Sequence, residues 1–202
     1  ITMAGQLTIR WIERDVNDYL NKLLGTKSVT YVVASDTDSI YVKLGGMVDK
    51  IFKDQSDNRK IVKILDKFSE EKLQPFIDSS FAKLAKYVNA YDQKMIMKRE
   101  VIANKGIWTA KKRYILNVFN EEGLDLKEPK LKIMGIEAVK SSTPAPCRVK
   151  IKEALKVIMN KDEPALIDFI ENFRTHFKKL SPEDIAYPRS CNNLKKYSST
   201  KD

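Results

Sequence analysis

The 202 residues hold 37 Lys and Arg against 27 Asp and Glu, a formal charge of +10, and 43% of them are hydrophobic. That is enough apolar material for a core, which excludes a chain disordered throughout, and no apolar run reaches the length of a membrane-spanning helix. The basic excess favours a polyanionic partner, and the placement of the charge matters more than its sum. Cys147 and Cys191 lie far apart and form no C-x-x-C, which argues against a zinc site or disulfide framework and suits a reducing cytoplasm. The single histidine, His176, falls in a helical pattern. No secretory leader is expected. The chain opens at Ile1 on a helix already under way, so it is expected to be a piece of something longer.

Residues 3–24 predict an amphipathic helix. Met3, Leu7, Trp11, Ile12, Val16, Tyr19, Leu20 and Leu23 recur at three- and four-residue steps, and Gly25 is a stop signal. Residues 29–34 and 40–42 are β-branched and aromatic runs around a short polar turn, the pattern of a β-hairpin. Asp36 and Asp38 project beyond that turn with Thr37 between them. Asp and Ser are ordinary turn residues, so a D-x-D alone says little. Here a strand on each side makes a rigid base, and carboxylates at a rigid tip suit Mg²⁺, a hard cation that takes oxygen ligands. Gly45-Gly46 ends the second strand, and residues 47–58 predict a half-ordered connection.

Residues 58–89 return to helical spacing in two apolar stripes, with Pro75 between them to kink or split the helix. Residues 95–102 predict a strand, Lys105-Gly106 a turn, and residues 107–119 a second strand. Between residues 94 and 113 stand seven bases and one acid, over half of the chain's excess charge. On this reading Lys111 and Arg113 share one strand face, and Lys112 and Tyr114 the other. Glu121-Glu122-Gly123 predicts a turn and residues 131–136 a short strand. Ser141-Ser142-Thr143-Pro144 reads as a break at a helix start, and helical patterns follow around residues 151–158 and 166–177. The tail from residue 192 is polar and basic, and there is no internal repeat. The fold class is α+β: an antiparallel sheet with helices packed on one face, then a helical extension.

The string Ala34-Ser35-Asp36-Thr37-Asp38-Ser39-Ile40-Tyr41-Val42 resembles motif C of the family B DNA polymerases, with Ser35 where that family usually has glycine. Trp11-Ile12-Glu13-Arg14, Leu65-Asp66-Lys67-Phe68, Lys98-Arg99-Glu100, Lys111-Lys112-Arg113-Tyr114 and Glu128-Pro129-Lys130-Leu131-Lys132-Ile133-Met134-Gly135 follow in the order found in T-even-like bacteriophage replicative polymerases. The resemblance covers nearly the whole chain. It implies the C-terminal part of a palm-type sheet in residues 1–140 and the start of a helical thumb in residues 141–202.

It implies DNA-directed nucleotidyl transfer from a dNTP to a primer 3′-hydroxyl with two Mg²⁺ ions. Asp38 would be a metal ligand, Asp36 would lie beside the metals, Glu100 would support them, and Thr37 would face the nucleotide. Lys111, Lys112, Arg113, Tyr114 and Lys140 would contact primer–template DNA, as would Asn192, Asn193, Lys196 and Tyr197 from the thumb. The family's D-x-x-S-L-Y-P-S and K-x-x-x-N-S-x-Y-G strings are absent from these residues, so the second metal aspartate and the nucleotide-binding fingers would come from an N-terminal portion that also carries the exonuclease. The chain is expected to be inactive without it. A sliding clamp is a further implied partner, reached through a tail beyond these residues. A non-catalytic basic nucleic-acid-binding module would explain the basic segment but gives no reason for paired carboxylates at a hairpin tip. A phosphohydrolase of unrelated fold would need a further acidic or histidine cluster, and none is visible.

Overall fold

The computed structural model describes residues 2–52 and 57–196. By its packing the chain divides into two units, each discontinuous in sequence. One comprises residues 1–104 and 118–130, the other residues 105–117 and 131–202.

The first unit opens with α1 (Thr2–Leu24). Ile12, Val16 and Leu20 stand four residues apart on one face and are fully buried. Gly25 ends the helix at φ +64°, and the Thr26 N–H donates to the Asn21 carbonyl at 2.9 Å, which closes the last turn. Strands β1 (Val32–Asp36) and β2 (Ser39–Val42) then form an antiparallel hairpin. Tyr31 and Val32 join Ile12, Val16, Leu20, Ile77, Phe81 and Leu84 in one core. α1 also ties the hairpin down with polar groups. The Asn17 side-chain oxygen accepts from the backbone N–H groups of Tyr31 (2.7 Å) and Val32 (3.0 Å), and the Asn21 amide brackets Val29 from both sides.

The connection after the hairpin is more ordered than its composition predicts. Gly45-Gly46 does follow the end of the strand, but it opens a helix, α2 (Gly45–Ile51). Burial of Met47 and a 2.6 Å bond from Lys50 Nζ to the Leu24 carbonyl hold that helix. Helix α3 (Asn58–Phe68) starts at an Asp57 cap whose carboxylate accepts from the Arg59 N–H at 3.0 Å. The long helical run stays continuous through Pro75. α3 passes into α4 (Gln74–Tyr87) through a π-helical turn at Ser69–Leu73, with helical backbone at Phe68, Ser69, Leu73 and Gln74, and the wider turn lies directly before the proline. Fully buried Ser80 of α4 accepts from Trp11 Nε1 at 3.1 Å and donates to Asp15 at 2.5 Å, joining α4 to α1.

The strands that follow correct the predicted boundaries. No strand forms over residues 95–100; β3 runs Val101–Ala110, straight through Lys105-Gly106. Gly106 is no turn residue here. A Cβ at that position would lie 2.8 Å from the Trp108 ring and from Leu116, so glycine marks a close approach within the strand. The chain turns instead at Lys111-Lys112, with Lys112 at φ +60°, and β4 is Arg113–Glu121. The Lys111-to-Tyr114 string therefore does not alternate along one strand; its first two residues form the turn. After Glu122-Gly123, both at positive φ, β5 runs Leu124–Met134, longer than predicted. The three strands are ordered β3-β4-β5, with two-residue turns that only antiparallel neighbours allow. The unit boundary falls across all three strands. The fold is thus mixed α and β with two antiparallel sheets.

In the second unit Ile115, Ile136, Ala138, Leu155 and Met159 form the core. α5 (Ala145–Asn160) begins after Pro144, where the sequence breaks, although no hydroxyl caps it. α6 (Glu163–Phe177) is capped by Asp162, and the short α7 (Pro182–Ile185) by Ser181. Among the described residues no helix is long and apolar enough to cross a membrane.

Candidate functional site

The hairpin tip is built from the strand register. Ser35 pairs with Ile40 and Asp36 with Ser39, which leaves Thr37 and Asp38 as a two-residue loop. Thr37 sits at φ +50°, as a tight hairpin loop requires, and the register is irregular between Val32 and Ala34. The Asp36 carbonyl accepts from the Asp38 N–H (2.6 Å) and from Ser39 Oγ (3.1 Å), and Thr37 Oγ1 donates to the Asp36 carboxylate at 3.0 Å. The loop is locked from inside. Asp36 is half-buried as the last residue of β1, while Thr37 and Asp38 are exposed. Two carboxylates two residues apart on a fixed tip form a hard-oxygen donor pair of the kind Mg²⁺ takes. Among the described residues, no group of three or more acidic, histidine or cysteine side chains is placed to hold a metal. Asp36, Asp38 and Glu100 are therefore not gathered into one metal cluster.

Glu100 is exposed and directly precedes β3, and its carbonyl accepts from the Glu122 N–H at 2.7 Å. Its neighbour Arg99 is anchored on both sides. One guanidinium nitrogen pairs with Asp66, and the other donates to fully buried Asn120 at 2.7 Å. Asn120 in turn donates to Asp125 at 2.8 Å and accepts from the Gly123 N–H at 3.2 Å. This network fixes the backbone beside Glu100. Asp66 and Arg99 stand 33 residues apart in separate strings, with no local periodicity to signal that they pair.

The basic residues expected at DNA lie in the second unit. Lys111 and Lys112 are the exposed β3–β4 turn. Tyr114 is buried, its ring tilted against Trp108 at 6.2 Å. Arg113 and Lys140 converge on one carboxylate. Arg113 Nη2 donates to both oxygens of Glu137 at 2.5 and 2.6 Å, and Lys140 Nζ donates to one of them at 3.1 Å. Glu137 begins a short 3₁₀ turn, Glu137–Val139. Its carboxyl is held below the usual glutamate range by a backbone hydrogen bond first, then by Lys140 and by the charge of Arg113, against some desolvation. Gly135 makes the convergence possible. It sits at φ +65°, and a Cβ there would lie 2.3 Å from the Lys112 carbonyl oxygen. Glu137 escaped the sequence reading. Its spacing from Lys140 is a local helical step, but its pairing with Arg113 spans 24 residues. Asn192, Asn193 and Lys196 are exposed around the final 3₁₀ turn, Leu194–Lys196, and Tyr197 lies outside the described residues.

Comparison with known proteins sets these residues in a class: the chain is similar to DNA-directed DNA polymerases of T4-like phages. It is 42% identical over 206 residues to the DNA-directed DNA polymerase of Escherichia phage RB69 and 36% identical over 209 residues to that of Enterobacteria phage T4. Each match takes in 98% of this chain and 23% of the relative, so the chain corresponds to a fragment of those proteins. No protein-family model matches it.

Proposed function

We propose that this chain supplies the C-terminal palm (residues 1–140) and the start of the thumb (residues 141–202) of a family B DNA-directed DNA polymerase. The observation that carries the reading is the likeness to two phage polymerases along 98% of the chain. The locked acidic hairpin tip supports it. In this reading the primer 3′-hydroxyl attacks the α-phosphate of a dNTP, giving up its proton to solvent, and the bond to the β-phosphate breaks as pyrophosphate leaves. Asp38 and Asp36 would hold Mg²⁺, which when bound neutralises charge on the attacking and leaving oxygens. Glu100 would support that tip with negative charge, and Thr37 would face the nucleotide. Lys111, Lys112, Arg113, Lys140, Asn192, Asn193, Lys196 and Tyr197 contact primer–template DNA, while Tyr114, expected among them, is buried against Trp108 and supports the turn from behind. Contacts of this kind neutralise phosphates and set the register of the duplex while reading little sequence.

Two carboxylates on one tip leave a two-metal site short of ligands. The remaining metal ligand, the fingers and the exonuclease would come from an N-terminal portion, and a sliding clamp would join through sequence beyond residue 202. The chain alone does not synthesise DNA in this reading, because alignment of the nucleotide makes up most of the catalysis. Primer extension with Mg²⁺ and dNTPs tests it, using the chain alone and mixed with a family B N-terminal portion ending before Ile1. Synthesis is expected only in the mixture, and is lost with Asp38→Ala. Synthesis by the chain alone overturns the incomplete site. No synthesis from fragments shown to associate overturns the polymerase reading and leaves a binding module.

A further inference from the structure

We propose that Glu137 is an internal counter-anion that limits the grip of Arg113 and Lys140 on duplex phosphates. The inference rests on the proposed role of these two cations in DNA contact and adds a residue with the opposite effect. Arg113 opens β4 and Lys140 follows the 3₁₀ turn, yet both heads meet on one carboxylate, at 2.5, 2.6 and 3.1 Å. The three side chains are 40%, 46% and 44% exposed for Arg113, Lys140 and Glu137, so a phosphate can reach the cations. Gly135 presses this loop against the Lys112 carbonyl, which places the cluster beside the exposed Lys111-Lys112 turn.

The counterions released on binding are those condensed on the DNA phosphates, and their number follows the net positive charge brought to the backbone. A fixed carboxylate between Arg113 and Lys140 lowers that net charge, so fewer ions are released when the cluster meets the duplex. A phosphate arriving at Arg113 must also share that guanidinium with Glu137 or displace the carboxylate, and it is repelled while the carboxylate stays. Removing the charge while keeping the shape should therefore strengthen binding. A residue that only positioned the two cations would give the reverse.

Binding of the full chain to a short fluorescent duplex, titrated across salt concentrations, tests this. Glu137→Gln is expected to bind roughly three- to tenfold more tightly at about 50 mM salt, with log K against log salt steeper by about one. Glu137→Asp, which keeps the charge, is expected to stay near the parent. Unchanged or weaker binding by a folded Glu137→Gln chain overturns the proposal. Absence of salt-sensitive binding by the parent overturns the DNA-contact reading and the proposal with it. Should Glu137→Gln fail to fold, the cations carry the test. Lys140→Gln is expected to weaken binding less than Lys111→Gln, because among the described residues Lys111 has no carboxylate partner. An equal or larger loss at Lys140 overturns the proposal.

Discussion

Asn17 shows how one side chain sets the base of the site. Its oxygen accepts from two consecutive backbone N–H groups, those of Tyr31 and Val32, just where the chain enters β1. Both residues are buried, so water cannot readily replace that acceptor. Asn17→Ala orphans both donors and is expected to destabilise the chain by about 2–6 kcal/mol in urea unfolding, at ~1–3 kcal/mol per stranded group. Asn17→Asp keeps the acceptor and is expected to recover most of the loss. A neutral Asn17→Ala would mean that the strand is held by burial of Tyr31 and Val32 alone. The aspartates were legible because strand-forming runs on either side betray a two-residue hairpin. Asn17 was not, since its spacing from Tyr31 has no local periodicity and an exposed-looking polar residue on an amphipathic helix gives no sign of a distant partner.

At the scale of elements, local patterns held where local forces decide. Helix α1, the hairpin, the π-helical interruption just before Pro75 and the helices after residue 145 all follow from apolar spacing and from proline or glycine signals. The β3–β4 hairpin defeated that reading because Gly106 and the Lys111-Lys112 pair exchanged roles. A glycine beside a lysine normally marks a turn, but Trp108 lies where a Gly106 side chain would go, and a lysine took the positive-φ position. Gly135 is the position where glycine is needed for both reasons at once. Its φ of +65° disfavours a side chain, and a Cβ would meet the Lys112 carbonyl at 2.3 Å, a backbone atom that cannot turn aside. Gly135→Ala is expected to cost about 3 kcal/mol in urea unfolding, beyond the ~1 kcal/mol of a left-handed alanine alone. A cost of about 1 kcal/mol would mean that the Lys111-Lys112 turn moves freely away from residue 135.

At the scale of the whole molecule, the residues proposed for chemistry and for DNA contact belong to different packing units. Asp36, Asp38 and Glu100 fall in the first, and Lys111, Lys112, Arg113 and Lys140 in the second. The sequence showed both sets but not the division, because the dividing line crosses three strands whose residues are neighbours along the chain. Separate placement predicts separable losses. In the mixture with an N-terminal portion, Asp38→Ala removes a charge from an exposed loop outside the core, so folding and duplex affinity should survive while synthesis is lost. Lys111→Ala should do the converse. Synthesis persists at saturating duplex, affinity falls, and the slope of log K against log salt flattens by about 0.9 if one phosphate contact is lost. Duplex titration and primer extension on the same two variants read both quantities. Loss of duplex affinity with Asp38→Ala would mean that the acidic tip, with its bound metal, is itself part of the DNA grip. Loss of synthesis with Lys111→Ala at saturating duplex would mean that the β3–β4 turn places the primer terminus as well as holding the backbone.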